Sequence, residues 1–289
     1  MNILVTGAAG FLGRRLIQAL LERGSLTDRH GQLRPIQRIT AFDRDPVQGL
    51  DDPRVQVKGG DITDPQVLAN LIDANTQGIF HLAAVVSSQA ESDFDLGMRV
   101  NFSATQGLLE RARQLGTCPK WVMTSSVAVF GGQLPDTVGD DQVWSPQSSY
   151  GTQKAMNDLL LADYSRRGFV DGRSLRMPTI VVRPGKPNLA ASSFASGIIR
   201  EPLNGQASVC PVPLNTRLWL MSPAQAIANL VHGHELAAER LSQGRVINMP
   251  GLSQTVEQMI DALREVAGDA VARHCLLYTS PSPRDQRGS

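Results

Sequence analysis

No sign of charge prevails in this sequence: 28 Lys and Arg stand against 27 Asp and Glu, a net charge of +1. Without a global field there is nothing to recruit nucleic acid or an anionic membrane, and the expected partner is a small molecule. Cysteine is scarce. The three thiols, Cys118, Cys210 and Cys275, lie far apart with no CxxC pair, which speaks against a disulfide framework or a structural zinc site and fits a reducing compartment. No apolar run approaches the roughly 18 residues of a membrane span, and MNILVTGAAG carries no basic region ahead of its apolar stretch. A cytoplasmic protein is therefore expected. His232 and His234 are two residues apart and do not share a helical face, so no metal is expected. His81, inside the apolar run GIFHLAA, reads as a hydrogen-bonded core residue, and the three tryptophans are too dispersed to form a platform for bases.

What is present is a chain of 289 residues, 42% hydrophobic, with enough apolar material for a sizeable core. NILVTG is a short apolar run ending in glycine, and FLGRRLIQALLERG follows with helical spacing and a glycine stop. Further apolar runs recur at residues 38–43, 54–61, 78–84, 120–126 and 175–182, with helical patterns between them at 65–76, 91–115 and 148–167. Strands alternating with helices imply an α/β fold with a Rossmann-type doubly wound parallel sheet. Past residue 183 the texture changes to PGKPN, a helix through FASGIIREPLNG, short strands near RLWLM and RVINMP, and helices at 224–241 and 255–266. These define a smaller C-terminal substrate-binding lobe over 183–273, joined to a nucleotide-binding domain over 1–182 across a soft boundary where elements are free to interleave. The last stretch, CLLYTSPSPRDQRGS, has no period and no apolar anchor. Residues 274–289 read as a non-native tail, with an ordinary disordered tail as the alternative.

TGAAGFLG places Gly7, Gly10 and Gly13 directly after a strand and at the opening of a helix. Glycine permits the tight turn and a close backbone approach to a pyrophosphate, whose charge suits the free N–H groups of a helix start. Asp43 ends the second long strand, where a carboxylate accepts bonds from an adenosine ribose and repels a 2′-phosphate, so NAD is the expected cofactor. Asp43 lies 30 residues beyond Gly13, longer than the usual interval of about 20, and the polar stretch 25–37 accounts for the excess as an inserted loop. Arg44 keeps NADP open as the minor alternative.

SSYGTQK puts Tyr150 and Lys154 four residues apart, on one face of a helix. A phenol is a poor base at neutral pH, and a nearby ammonium is expected to lower its pKa by stabilising the phenolate. Tyr150 then takes a proton from a substrate hydroxyl as hydride leaves carbon, while Lys154 also reaches the nicotinamide ribose. Thr124, Ser125 and Ser126, at the C-terminal end of the preceding strand, offer a hydroxyl for the reacting oxygen. Ser148 and Ser149 read as helix caps without a chemical role.

Taken together, TGAAGFLG, Asp43, GGDITD, HLAA, NFSAT, SSVAVFG and YGTQK, in that order over residues 1–273, resemble the extended short-chain dehydrogenases/reductases, also called NAD-dependent epimerase/dehydratases. The resemblance implies that Gly7, Gly10, Phe11, Leu12 and Gly13 hold the pyrophosphate and Asp43 the ribose. It implies further that Asp61 and Ile62 flank adenine, that Ala83, Ala84 and Val85 line the dinucleotide, that Asn101 supports the site, and that Pro178 passes the nicotinamide. Ser126 is selected over Ser125 because the family's catalytic hydroxyl stands four residues before an aromatic-glycine pair, here Phe130-Gly131. Where nucleotide-sugar members read close to NVYGP this chain reads TIVVRPGKPN, a departure that disfavours nucleotide sugars. The stretch around SSYGTQKAMNDLLLADYSRRGFVDGRSLRMPTIVVRPGKPN is similar to a narrower group that oxidises the C2 hydroxyl of a four-carbon sugar acid with NAD.

Such an acid needs a cation for its carboxylate. Arg183, Lys186, Arg200 and Arg217 are available, with Arg217 preferred on the family's habit, and Ser87 and Ser88 stand near enough in sequence to strand four to bond substrate hydroxyls. A homodimer is the expected assembly, by the family's pairing of the 91–115 and tyrosine helices, although Met156, Leu159, Leu160 and Tyr164 fit either a sheet or a partner. Two other readings stay open: an epimerase or dehydratase that retains and recycles its NAD, and a non-catalytic dinucleotide sensor, which an intact Ser, Tyr and Lys set disfavours.

Overall fold

The computed structural model describes residues 1–185, 190, 192–241 and 244–277, with the side chains of 276 and 277 left aside. Lys186 and residues 278–289, most of the stretch read as a tail, lie outside the described residues.

The chain opens with β1 (Asn2–Thr6), the glycine turn and α1 (Phe11–Arg23), which Gly24 stops in a left-handed conformation with its N–H on the Leu20 carbonyl. The stretch 25–37 is a hairpin of β2 (Ser25–Thr27) and β3 (Leu33–Pro35), not the loop expected from its polarity. Asp28 organises it, accepting the N–H groups of His30 and Gln32 and the guanidinium of Arg34. There follow β4 (Arg38–Asp43), β5 (Val55–Gly59), α2 (Pro65–Leu71), capped by Asp64, and β6 (Thr76–His81).

The helix expected over 91–115 is broken into α3 (Ser87–Ser92), α4 (Phe94–Gly97), a π-helical turn at Met98–Ser103 and α5 (Ala104–Leu115). Next come β7 (Lys120–Ser126), α6 (Ser149–Arg166) and β8 (Asp171–Met177). The apolar run 175–182 is thus split, Met177 closing β8 and Thr179–Ile180 forming β9. The remainder is α7 (Ser193–Leu203), β10 (Ser208–Cys210), β11 (Arg217–Met221), α8 (Pro223–Glu235), β12 (Val246–Asn248), β13 (Leu252–Thr255), α9 (Val256–Ala267), α10 (Asp269–Ala272) and β14 (Cys275–Leu277).

Seven parallel strands form the main sheet in the order β12-β8-β7-β6-β1-β4-β5. Its core includes Leu4, Phe42, Ile79, Leu108, Leu109, Trp121 and Leu161. The strand order reverses at β1, between β4 and β6, and a doubly wound sheet binds its ligand beyond the strand ends at such a point.

Two compact units result, and their division is not a single cut in sequence. The first contains Met1–Met177 and Ala224–Met249, the second Pro178–Pro223 and the residues from Pro250 onward. Residues 224–249 rejoin the first unit because β12 pairs with β8, Ile247 opposite Leu175, and because the ring of His234 stacks on Phe80 in α8's contact with the sheet. The second unit has its own core of Ala195, Ile198, Cys210, Leu220, Val256, Met259 and Ile260, around the sheet β13-β11-β9 and the β10-β14 pair. Its α9 starts with a capping box between Thr255 and Gln258.

Candidate active site

The turn after β1 requires glycine at Gly7 and Gly13. Gly7 has φ +73°, and a Cβ there would meet the backbone of Ala83 at 2.8 Å, while a Cβ on Gly13 would lie 2.1 Å from the Gly7 carbonyl oxygen. Backbone from β1, α1 and the segment after β6 therefore converges more closely than side chains allow. No side chain caps α1, so its first N–H groups, including those of Phe11 and Leu12, face the turn without the usual intrahelical partners. This is the chemistry of a pyrophosphate cradle.

Asp43 closes the adjacent edge of that cradle. Its Oδ2 accepts the Ala9 N–H at 2.8 Å and its Oδ1 the Asp45 N–H at 3.2 Å. Asp61 is exposed past β5, where bonds from the N–H and hydroxyl of Thr63 hold its carboxyl below the usual range. Ile62 beside it is buried in the core, so only its backbone is left to face a ligand. Beyond β6, the Leu82 N–H joins the Thr6 carbonyl, and the Ala83 N–H reaches the Thr6 hydroxyl at 3.3 Å. Ala84 is exposed, and Val85 is fixed by Asn101, whose Oδ1 accepts the Val85 N–H at 2.8 Å while its Nδ2 donates to the Val85 carbonyl. Ser87 begins α3 one turn on.

The π-helical turn explains how Asn101 reaches both neighbours. Buried at the turn, it also donates from Nδ2 to Gln153 Oε1 at 2.7 Å, and its carbonyl takes bonds from Thr105 and from Asn157 on α6. Asn101 thus ties the segment after β6 to the tyrosine helix. His81 below it is a core residue: Thr6 and Thr105 contact its two ring nitrogens at 2.7 and 2.9 Å, and burial holds its pKa down at about 3.

Ser148 starts α6, its hydroxyl accepting the Gly151 N–H at 3.1 Å, whereas Ser149 uses its N–H on Glu91. At Gly151 a Cβ would lie 2.2 Å from the Ala128 carbonyl oxygen. That close approach brings Tyr150 against the end of β7, where the Ser126 hydroxyl favours its phenolate form. Ser126 Oγ also accepts the Ala128 N–H. Ser125 points elsewhere: it is buried and donates to Asp158 at 3.1 Å. Lys154 is 6% exposed, donates to the Thr124 carbonyl at 2.8 Å, and its Nζ stands 5.6 Å from the centre of the Tyr150 ring.

One sequence expectation is reversed here. Burial pushes the Tyr150 phenol up to about 12, against the opposing hydrogen bond of Ser126. Burial also brings Lys154 down to about 8, while Asp158 acts to raise it. Desolvation of the phenolate outweighs the help it receives from Ser126.

Asn101 apart, sequence reasoning missed the residues beneath this pair. Gln153, Asn157, Asp158, Arg176 and Asn101 form a buried polar layer under the catalytic candidates, because the inward face of α6 is polar around Leu161. Of the apolar residues on that helix, Leu159 is 61% exposed, and Met156, Leu160 and Tyr164 are partly buried. The available signal was the second i, i+4 step on the same helix, from Lys154 to Asp158.

The remaining candidates belong to the second unit. Pro178 precedes β9, and Arg217 is exposed on β11 opposite Thr255. Arg200 is buried and already engaged by Glu201 and the Arg183 carbonyl, which removes it as a free carboxylate ligand. Arg183 is partly buried, and burial together with Arg200 lowers its pKa. Among the described residues no group of His, Cys, Asp or Glu has the arrangement of a metal site, and no helix is long and apolar enough to cross a membrane.

The cradle, the strand-end acid and the Ser-Tyr-Lys group define a nicotinamide-dependent oxidoreductase. The chain belongs to the NAD dependent epimerase/dehydratase family, whose sequence pattern it matches over residues 3–248. It is 63% identical over 272 residues to the D-erythronate dehydrogenase of Cupriavidus necator, covering 94% of this chain and 84% of that protein. The D-erythronate dehydrogenase of Haemophilus influenzae is 46% identical over 275 residues, 95% of this chain and 85% of that protein. In structure it is similar to a nucleoside-diphosphate-sugar epimerase from Agrobacterium tumefaciens, with a TM-score of 0.89, 44% identity, and coverage of 96% of this chain and 81% of that one.

Proposed function

We propose that this protein oxidises the C2 hydroxyl of a small sugar acid, D-erythronate first among them, to the 2-dehydro acid with NAD as hydride acceptor and Tyr150 as general base. The observation that carries the reading is Lys154 Nζ 5.6 Å from the Tyr150 ring on one helix face, with the Ser126 hydroxyl favouring the phenolate, together with a turn after β1 that requires glycine at Gly7 and Gly13. The substrate class comes from the two dehydrogenase relatives.

Gly7, Gly10, Phe11, Leu12 and Gly13 would hold the pyrophosphate of NAD, Asp43 its adenosine ribose, and Asp61, Ile62, Ala83, Ala84, Val85 and Pro178 the rest of its length, with Asn101 fixing the Val85 segment. When bound, the nicotinamide accepts the hydride that leaves C2. Ser126 orients the substrate oxygen, and Tyr150 Oη takes the hydroxyl proton as the C–O bond becomes a carbonyl. Lys154 supplies positive charge beside the phenolate and would bond the nicotinamide ribose. Ser87 and Arg217 are the proposed partners of substrate hydroxyl and carboxylate. A cytoplasmic homodimer belongs to the same reading.

The Agrobacterium structure carries an epimerase name, which favours one rival, an enzyme that retains and recycles its NAD. Incubation with NAD and D-erythronate separates the two. Absorbance of reduced nicotinamide rises with turnover if the proposal holds, and product formed under a flat trace establishes the rival. Tyr150→Phe should lower the rate by about 100-fold or more; a variant near the wild-type rate removes Tyr150 from the mechanism.

A further inference from the structure

Beneath Lys154 lies a buried ion pair. Asp158, one helical turn further along α6, is 0% exposed and accepts the hydroxyls of Ser125 and Ser174 and the Nε of Arg176, the last at 3.0 Å. Arg176 is 2% exposed, and its guanidinium lies over Trp144 at 4.0 Å and over Phe130 at 5.0 Å from the ring centres. Every contact to Asp158 is a donor, one of them a guanidinium that does not give up its charge, which is the environment of a carboxylate. Burial pushes its carboxyl upward, and Ser174, Arg176 and Ser125 push against that.

The groups facing Lys154 are few. Tyr150 and Asp158 approach from α6, Thr124 from β7 and His81 from β6, the histidine kept neutral by burial. Arg176, on β8, meets Asp158 rather than Lys154. Among the described residues no carboxylate forms a direct ion pair with Lys154, so the opposing charge reaches it from Asp158 without a shared proton. An ammonium moved out of water and left alone loses its proton readily.

We propose that Asp158 is a positioning residue for the proton-transfer group: its carboxylate, locked by Arg176, Ser125 and Ser174, keeps Lys154 in the ammonium form on the Thr124 carbonyl. The proposal rests on the functional reading above for Lys154's role. It goes beyond it by placing the control of that lysine in a residue that touches neither substrate nor cofactor.

The chain has four lysines, Lys58, Lys120, Lys154 and Lys186, so full-length protein labelled with ¹³C at lysine Cε gives four resonances to titrate, and Lys154→Arg identifies the one sought. Asp158→Asn should lower the midpoint of the Lys154 resonance by about one pH unit or more, leaving those of Lys58 and Lys120 in place. Because this variant leaves Arg176 without its carboxylate, Asp158→Asn/Arg176→Gln, with both charges removed and the hydrogen-bonding shapes kept, is titrated beside it and should show a shift in the same direction, smaller because the guanidinium's repulsion is gone as well. An unchanged Lys154 midpoint in the folded double variant overturns the proposal. The titration needs neither substrate nor NAD. A shifted midpoint in a protein whose wild type oxidises no sugar acid therefore sinks the functional reading alone, and turnover with an unshifted midpoint sinks this one alone.

Discussion

The carboxylate of Asp43 accepts the backbone N–H of Ala9 at 2.8 Å, so the acid at the end of β4 also braces the glycine turn. Turn support then joins the ribose recognition proposed for the same side chain. Asp43→Ala should weaken NAD binding by about 10- to 100-fold, the range of a hydrogen bond to a charged group. Asp43→Asn, which keeps an oxygen for Ala9, should lose less. Calorimetric titration with NAD ranks the three proteins, and equal losses in both variants would mean that the turn needs no brace.

Gly13→Ala tests the turn from the other side. A methyl group 2.1 Å from the Gly7 carbonyl oxygen has no room, and overpacking of this kind costs about 1–3 kcal/mol. A melting temperature lowered by several degrees is expected, together with loss of the rise that NAD gives the wild type. A variant that melts lower yet keeps the full NAD-induced rise would take the pyrophosphate away from this turn.

Ser125 and Ser126 are neighbours with opposite assignments. Ser126→Ala removes the hydroxyl that favours the Tyr150 phenolate and should cut kcat by about 100-fold with NAD affinity retained. Ser125→Ala removes a bond to buried Asp158 and should act first on stability, by about 1–3 kcal/mol. Steady-state kinetics and denaturant melts on the pair decide. A larger kcat loss at Ser125 would exchange the roles.

Acid should destabilise the fold before most carboxylates titrate. Burial lowers His81 to about 3 and His234 to about 4, both below the ordinary value of about 6.5. Between those values the unfolded chain binds protons that the folded chain does not. Stability therefore falls as pH drops from about 6.5 towards 4, with a limiting slope of about 1.4 kcal/mol per pH unit for each histidine. His234 stacks on Phe80, and no hydrogen bond reaches its Nε2, so His234→Leu should flatten the slope between pH 6.5 and 5. Urea melts across that window measure it, and an unchanged slope would show that His234 is not the group taking up the proton.

Much of this architecture is legible in the sequence for physical reasons. β1, β4 and β7 are short apolar runs because both faces of a parallel sheet are covered, and Gly7, Gly13, Tyr150 and Lys154 declare themselves through spacing. Other features are hidden by the same rules. α6 turns Lys154, Asn157 and Asp158 inward, so hydrophobic periodicity misreports its buried face. Arg176 and Asp158 look like surface charges until their pairing is seen. The hairpin at 25–37 has three-residue strands, too short to alternate convincingly. The Tyr150 pKa escaped because Lys154 is visible in sequence and the cost of burying a phenolate is not.

The pairing of β12 with β8 sets a schedule for biosynthesis. When a ribosome has delivered the first 182 residues, the outer edge of β8 still waits for residues 246–248, and the Phe80 surface still waits for α8. An unpaired parallel edge invites association with other chains, so a gene cut at the apparent domain boundary would yield a sticky fragment rather than a free-standing nucleotide-binding domain. The second unit's α7, β10 and β11 are translated inside that interval, which makes this protein's last strand of the main sheet a product of late synthesis and long-range closure.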